Sequence, residues 1–125
     1  MLVIEGKEFE FATQEGDYLS SIYFCNSTID HFYVALCRDH DSENDDYQIY
    51  IESDNQIWST FDGVAGCWVS NEEFILKFDE AAALKLGGIA NIKVLLNLSQ
   101  EQRDDFYSAL QAIFHGKSML NIPNE

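Results

Sequence analysis

Residues 91–114 read NIKVLLNLSQEQRDDFYSALQAIF, and the spacing of the apolar residues changes in the middle of this stretch. Before Ser99 they alternate with polar residues, which is typical of a strand that buries one face. These residues are Ile92, Val94, Leu96 and Leu98. After Ser99, which opens a Ser-Gln-Glu-Gln capping box, the apolar residues recur at helical spacing. These are Phe106, Leu110, Ile113 and Phe114. The stretch therefore predicts a strand and then a helix whose apolar stripe needs a sheet to cover.

Upstream of residue 91 the chain mostly alternates with period two and is broken by short polar turns. Strands are predicted over residues 8–11, 18–25, 32–37, 47–52, 56–61, 67–69 and 73–78. The strand at 32–37 is apolar on both parities, which predicts a central strand covered on both faces. Asp79 and Gly87-Gly88 bound a short helix, as an N-cap and a left-handed C-terminus do.

These elements predict an α+β fold. A mainly antiparallel sheet of about six to eight strands, joined as a meander of hairpins, packs against the C-terminal helix. A short helix precedes the last strand. The chain has 125 residues, 46% of them apolar, which suits one core. We therefore expect a single domain over residues 1–125, with a C-terminal tail over 117–125.

The sequence predicts a cytoplasmic protein with reduced thiols. No run of about 18 uncharged apolar residues is present, and residues 1–5 lack the basic and apolar regions of a signal peptide. Three cysteines, Cys25, Cys37 and Cys67, cannot all pair within one chain, and none belongs to a Cys-x-x-Cys motif. We expect them to be small buried hydrophobic residues.

Charge is the most informative bulk property of the chain. The 22 acidic and 7 basic residues give a formal net charge of −15. This field repels nucleic acid and anionic membranes and attracts cationic partners. Solubility alone needs a net charge of only about 2 to 8 in a small domain. We therefore expect no binding to nucleic acid or to membranes, and a basic protein as the partner.

No catalytic or metal-binding motif is recognisable in the sequence. There is no Gly-x-Ser-x-Gly, and the three histidines are scattered. His31, Cys37 and His40 lack the paired spacing of zinc sites. The acidic run at 39–46 lacks the glycine and the terminal glutamate of an EF-hand loop. We predict that the protein is not an enzyme and holds neither a cofactor nor a metal.

A protein-binding surface is the interpretation that remains. The acidic loop at 39–46 and the hairpin turn at 54–55 are predicted to be exposed on one side, with aromatic residues beside them as anchors. The candidate partner-binding residues are Asp39, Asp41, Glu43, Asp45, Asp46, Tyr50, Glu52, Asp54, Trp58 and Asp62. The alternative is that the acids solvate a loop and that the aromatics fill the core. Trp68, which lies in an apolar segment, is predicted to be a core residue.

Residues 46–116 carry a resemblance to a known family. An aromatic residue and a Glu lead through an acidic turn to a Gln, then to a Ser and a Tyr-Gly-Gly-Ile-like stretch. These places are filled by YIESDNQ at 50–56, Ser59 and FDGV at 61–64. The later order is a strand with FIL at 74–76, a helix with AALKLG at 82–87, a strand at 92–98 and a closing helix that contains residues 110–114. This pattern resembles the immunity protein 10 family of bacterial polymorphic toxin systems. Asp62 stands where the family has its first glycine.

The resemblance implies a cytoplasmic protein that binds and neutralises a cognate toxin and has no catalytic residues. The net charge would suit a basic nuclease domain, whose active site otherwise holds phosphates. We therefore expect a basic toxin protein as the partner, bound by a monomer or a homodimer. The alternatives are a small-ligand or metal-binding domain and a structural homo-oligomeric subunit.

Overall fold

A computed structural model describes residues 2–13, 19–26, 32–39, 49–115, 118 and 120–121. Within these residues the chain forms ten strands and two helices, and the predicted α+β class is confirmed. The elements are β1 (Leu2–Glu5), β2 (Glu8–Ala12), β3 (Leu19–Cys25), β4 (Tyr33–Asp39), β5 (Ile49–Ser53), β6 (Asn55–Phe61), β7 (Val64–Val69), β8 (Glu73–Phe78), α1 (Glu80–Lys85), β9 (Asn91–Leu95), α2 (Gln100–Ile113) and β10 (Leu120–Asn121).

The strands form two five-stranded sheets. Strands β2 to β6 follow one another as an antiparallel meander, here called the meander sheet. The other sheet has the order β1-β9-β8-β7-β10, with parallel pairs at both edges, and is here called the mixed sheet. The two parallel edge strands are additions to the sequence prediction. Part of the predicted tail over 117–125 therefore belongs to a sheet.

Two short links carry the chain between the sheets. Gly6 lies in the first link, where a Cβ would come within 2.8 Å of the side chains of Phe24 and Val94. Gly63 lies in the second link with φ +107, and a Cβ there would stand 2.4 Å from the Cβ of Ala82. Only glycine combines this backbone conformation with so close an approach.

The core lies between the two sheets and α2. Phe106 of α2 packs against Phe11, Phe24 and Phe74, with ring centroids 5.0 to 5.3 Å apart. Two of these rings, Phe24 of the meander sheet and Phe74 of the mixed sheet, also meet across the core at 5.9 Å. The capping box predicted at Ser99 is present, and the apolar stripe of α2 is buried as predicted.

Arg38 ties the last turn of α2 to the meander sheet. Its side chain is buried on the core side of β4, and Nη1 donates to the carbonyl oxygens of Ile113 at 2.9 Å and His115 at 2.6 Å. The last carbonyls of a helix lack partners within the helix and carry partial negative charge. The guanidinium therefore satisfies and neutralises this helix end.

Two predictions about burial are wrong. The strand at 32–37 was expected to be covered on both faces, but β4 fully buries only its core side, and Tyr33, Ala35 and Cys37 on the other side are half-buried. Trp68 was expected in the core and is 44% exposed. An irregularity in the pairing of β7 with β8 between Val64 and Gly66 shifts the alternation and turns Trp68 outward.

The three cysteines all lie in described strands, and none forms a disulfide. Cys25 and Cys67 are buried as predicted, while Cys37 is half-buried. Burial raises the pKa of the Cys67 thiol well above its ordinary value. This thiol therefore stays protonated and behaves as a small apolar side chain.

The helices of the described chain are short. At 14 residues α2 is the longer of the two, and neither has the length and apolar character that crossing a membrane requires.

Candidate functional site

The side of the meander sheet that faces away from the core is the candidate site. Strand pairing puts one residue from each of the five strands in a single row. This row is Glu10, Tyr23, Ala35, Glu52 and Ser59. Residues two positions away on the same strands share this side. We call the combined surface the tyrosine face; it consists of Glu8, Glu10, Tyr23, Tyr33, Ala35, Cys37, Tyr50, Glu52, Ser59 and Phe61.

The core lies on the other side of the meander sheet. The residues that alternate with it, such as Ile22, Leu36 and Ile51, are buried on the opposite side. In the described chain α2 packs against that opposite side, through Phe11 and Phe24. Phe61 on the tyrosine face is 62% exposed.

Glu52 occupies the centre of the tyrosine face. The hydroxyl of Tyr33 donates to its Oε2, and the hydroxyl of Tyr50 donates to its Oε1 at 2.6 Å. A carboxylate oxygen has two lone pairs, so each oxygen can accept one further bond. The two tyrosines thus orient the carboxylate of Glu52, and each of its oxygens can still accept a hydrogen bond from a partner.

Aromatic rings extend from Glu52 in both directions across the strands. On one side Tyr33 lies 5.7 Å from Tyr23, measured between ring centroids. On the other side Tyr50 lies 5.2 Å from Phe61. Four rings from β3, β4, β5 and β6 therefore form a line with one carboxylate in the middle.

The surroundings of the tyrosines keep their hydroxyls protonated. Burial, followed by the hydrogen bond to Glu52, raises the pKa of Tyr33 above its ordinary value. The hydrogen bond to Glu52, followed by burial, raises the pKa of Tyr50. A hydrogen bond with Cys25, followed by burial, raises the pKa of Tyr23 to about 12. At neutral pH all three hydroxyls are therefore protonated, and those of Tyr33 and Tyr50 remain donors to Glu52.

Replacing Glu52 by glutamine is expected to lower the pKa of both Tyr33 and Tyr50, because a carboxylate that accepts their hydrogen bonds favours the neutral phenols. Tyr50 should lose a larger share of its pKa shift than Tyr33, because the bond to Glu52 is the first cause of the shift for Tyr50 and burial is the first cause for Tyr33. Alkaline titration of phenolate absorbance measures both values, and Tyr33→Phe and Tyr50→Phe assign them. Glu72→Gln, an exposed site beside β8, is the matched control.

A titration curve of Glu52→Gln that overlaid the parent curve would contradict this account of the tyrosines.

The same shifts make stability depend on pH. A raised folded-state pKa means that the stability is present below the ordinary tyrosine value of about 10 and is lost as pH rises through the raised value. Glu52→Gln should therefore reduce the loss of stability at alkaline pH, because its tyrosine pKa values lie closer to the ordinary value of about 10.

The described charges of the tyrosine face are all negative. Glu8, Glu10 and Glu52 contribute them, and Asp54 lies at the adjoining turn. Arg38, the basic residue of the described β2 to β6 strands, points into the core. The face is therefore acidic as well as aromatic, and the field of the whole chain reinforces it.

Among the predicted partner-binding residues whose side chains the structure describes, Tyr50 and Glu52 lie on this face. Asp54 forms the tight turn between β5 and β6 with φ 64, and its N–H donates to the carbonyl of Tyr33 at 2.9 Å. Trp58 projects from the other side of β6 and packs beside Gly87, where a Cβ would come within 3.4 Å of the indole. The structure thus separates Trp58 from Tyr50.

The remaining predicted residues lie at the other end of the β5–β6 hairpin or outside the described chain. Asp62 exchanges bonds with Ile49: its N–H donates to the carbonyl at 2.8 Å, and Oδ1 accepts from the N–H at 3.2 Å. Asp39 is the last residue of β4. It lies near Ile49, at the end of β5 that is far from the Asp54 turn. Asp41, Glu43, Asp45 and Asp46 lie outside the described residues.

Tyr23, Tyr33 and Phe61 were not among the predicted site residues. A signal for two of them is present in the sequence, because residues 32–37 are apolar on both parities and Tyr23 alternates with the apolar Ile22 and Phe24. No such signal marks Phe61, whose strand mixes polar and apolar residues on both parities. We read the first pattern as double coverage. An exposed aromatic face produces the same pattern, and only the strand register distinguishes the two.

No metal-binding arrangement is found in the described part of the chain, where no three His, Cys, Asp or Glu side chains gather closely enough. His31 and His40, which were considered as ligands, lie outside it. Comparisons of the whole chain with protein-family models, with curated proteins and with solved structures find no match.

Proposed function

We propose that the protein is an immunity protein that binds a cognate bacterial toxin with a basic surface and neutralises it by tight, non-catalytic association through the tyrosine face. The observation that carries this proposal is the carboxylate of Glu52, held by two tyrosine hydroxyls in a line of four aromatic rings. It lies on the side of the meander sheet that faces away from the core, in a chain with net charge −15.

The composition of the face supports protein binding. Tyrosine supplies large contact area with few rotatable bonds, so little conformational entropy is lost on binding. An arginine of the partner can pair with a carboxylate through two N–H groups and stack on an aromatic ring at the same time. Glu52 between Tyr33 and Tyr50 offers both contacts to one guanidinium.

Charge supports a basic partner. The field of the chain would accelerate encounter with a cationic surface, and acids at the rim of an interface act mainly on the association rate. A nuclease that holds phosphates in its active site presents such a surface. This class of toxin is therefore the one we propose, with the cytoplasm as the compartment in which the complex forms.

Backbone conformation supports the correspondence with the immunity protein 10 family. The Tyr-Gly-Gly-Ile-like segment of that family corresponds to Phe61-Asp62-Gly63-Val64 here. Both middle residues adopt left-handed conformations, with φ 59 at Asp62 and φ 107 at Gly63. These are conformations that glycine adopts most readily, and aspartate tolerates the first of them. Asp62 therefore occupies a backbone conformation that suits the glycine of the family pattern.

The test is co-expression of the chain with the toxin domain encoded beside it, scored by cell survival and by co-purification. Survival with a stable complex is the expected result. Tyr50→Ala should raise the dissociation rate by about tenfold or more, as the loss of an interface anchor does. Glu10→Lys should slow association at low salt and flatten its salt dependence, because this residue lies at the rim.

Glu72→Lys provides the matched control, since it makes the same charge change at an exposed site outside the tyrosine face. It should alter association much less than Glu10→Lys. Cell death without any complex would refute the immunity function. A stable complex that tolerates both Tyr50→Ala and Glu52→Lys would leave the function standing and refute the tyrosine face as its site.

A further inference from the structure

The mixed sheet also has an open side, and its chemistry differs from that of the tyrosine face. Strand pairing places Val3, Lys93, Ile75 and Trp68 in one row on the side away from the core. Leu95 pairs with both Glu5 and Glu73 in the neighbouring row. We call this surface the tryptophan face; it consists of Val3, Glu5, Trp68, Glu73, Ile75, Lys77, Lys93 and Leu95.

Large apolar side chains are exposed on the tryptophan face. Val3 is 50% exposed, Trp68 44% and Leu95 39%. The indole of Trp68 lies across Gly66, where a Cβ would stand 2.3 Å from Cη2. Because Gly66 has no side chain, the ring lies flat on the sheet. The result is a level apolar surface that suits packing against another level surface.

The charges of this face balance. Two acids, Glu5 and Glu73, share one row with Leu95, and two lysines, Lys93 and Lys77, lie in the next two rows. The Nζ of Lys93 lies 3.7 Å from Oε2 of Glu73. The formal charge of the face is therefore zero in a molecule of net charge −15. A cationic partner gains no electrostatic attraction from it, whereas a second copy of this chain meets no local repulsion there.

We infer that the tryptophan face packs against the same face of a second copy of the chain. A two-fold axis brings a patch onto itself, so that lysines of one copy can lie opposite glutamates of the other. A groove of about 600 Å³ beside Trp68 adds a recess for a side chain of the partner copy. Its lining includes Val69, Ser70 and Leu120.

The size of the face sets the strength of the dimer. Four strands about 4.8 Å apart and about 17 Å long present roughly 300 Å² in projection. A stable complex buries about 800 Å² of accessible surface per partner. The face is smaller than this, so the dimer is weak and exchanges with monomer.

Sedimentation velocity over a concentration series, from about 1 micromolar to about 1 millimolar, tests the inference. The parent chain should shift from monomer to dimer across this range. Added salt should shift the equilibrium toward the dimer, because it screens the repulsion between two copies of charge −15. A chain that stays monomeric at every concentration in high salt would overturn the inference.

Lys93→Glu should weaken the dimer by at least about tenfold, because it gives each face an excess of two negative charges. The exchange variant, Lys93→Glu with Glu73→Lys, restores the balance and should recover the dimer. Circular dichroism checks that both variants fold. A Lys93→Glu variant that dimerises like the parent would place the contact elsewhere and refute the tryptophan face.

The inference does not rest on the proposed function, and the two surfaces are distinguishable by salt. Toxin binding through the acidic tyrosine face should weaken as salt rises, whereas self-association through the neutral tryptophan face should strengthen. If Lys93→Glu abolished toxin binding while the parent stayed monomeric, the toxin would be the occupant of this face and the dimer would be refuted.

Discussion

Phe106→Ala is expected to lower the free energy of unfolding by about 3 to 5 kcal/mol, the range for removing a buried aromatic ring. The ring is fully buried and is shared by both sheets, since it contacts Phe24 of the meander sheet and Phe74 of the mixed sheet. Its removal opens a cavity at the only place where both layers meet α2 through aromatic rings in the described chain. A loss this large approaches the total stability of many small domains.

Urea unfolding monitored by tryptophan fluorescence measures this loss. Phe106→Leu keeps most of the volume and should cost clearly less. Leu84→Ala, on the exposed side of α1, is the matched control and should change stability by no more than about 0.5 kcal/mol. If Phe106→Ala and Leu84→Ala cost the same, Phe106 does not join the layers as described.

Arg38→Met is expected to cost about 2 to 3 kcal/mol, because hydrogen bonds to a charged donor are the stronger class. Methionine fills similar space but leaves the carbonyls of Ile113 and His115 without their donor. Nε of Arg38 is buried and has no partner among the described residues. Removing it relieves part of the cost of burying the guanidinium, which sets the upper limit of the expected loss.

Arg38→Lys separates the two contributions of the guanidinium. Lysine keeps the positive charge near the helix terminus but cannot reproduce the planar geometry, so it should recover only part of the loss. Hydrogen exchange of the last turn of α2 should quicken in Arg38→Met and less so in Arg38→Lys. Unchanged exchange in both variants would contradict the role given to Arg38 in holding this helix end.

Local sequence signals predicted the elements that depend on neighbouring residues. The capping box at Ser99, the Asp79 cap and the glycine end of α1 all involve residues within a few positions of each other. The edge strands β1 and β10 pair in parallel with β9 and β7, which are distant in sequence. No local turn signal marks a pairing between such distant strands. The alternation of apolar residues therefore could not predict the division into two sheets.

The candidate site was predictable only in part for the same reason. Tyr50 and Glu52 alternate within one strand, and their shared side follows from period two. Tyr33 reaches Glu52 from β4, and this contact depends on how β4 and β5 align. Arg38 is likewise distant in sequence from the end of α2, yet it donates to the carbonyls of Ile113 and His115.

The order of pairing along the chain has a consequence for how the protein forms. Each strand of the meander sheet pairs with its sequence neighbour, so this sheet can assemble through short loop closures. The mixed sheet instead requires Leu2 to find Ile92 and Cys67 to find Leu120, and such non-local closures slow folding. During synthesis the tyrosine face can therefore form early, while the mixed sheet is completed only after Leu120 has been synthesised.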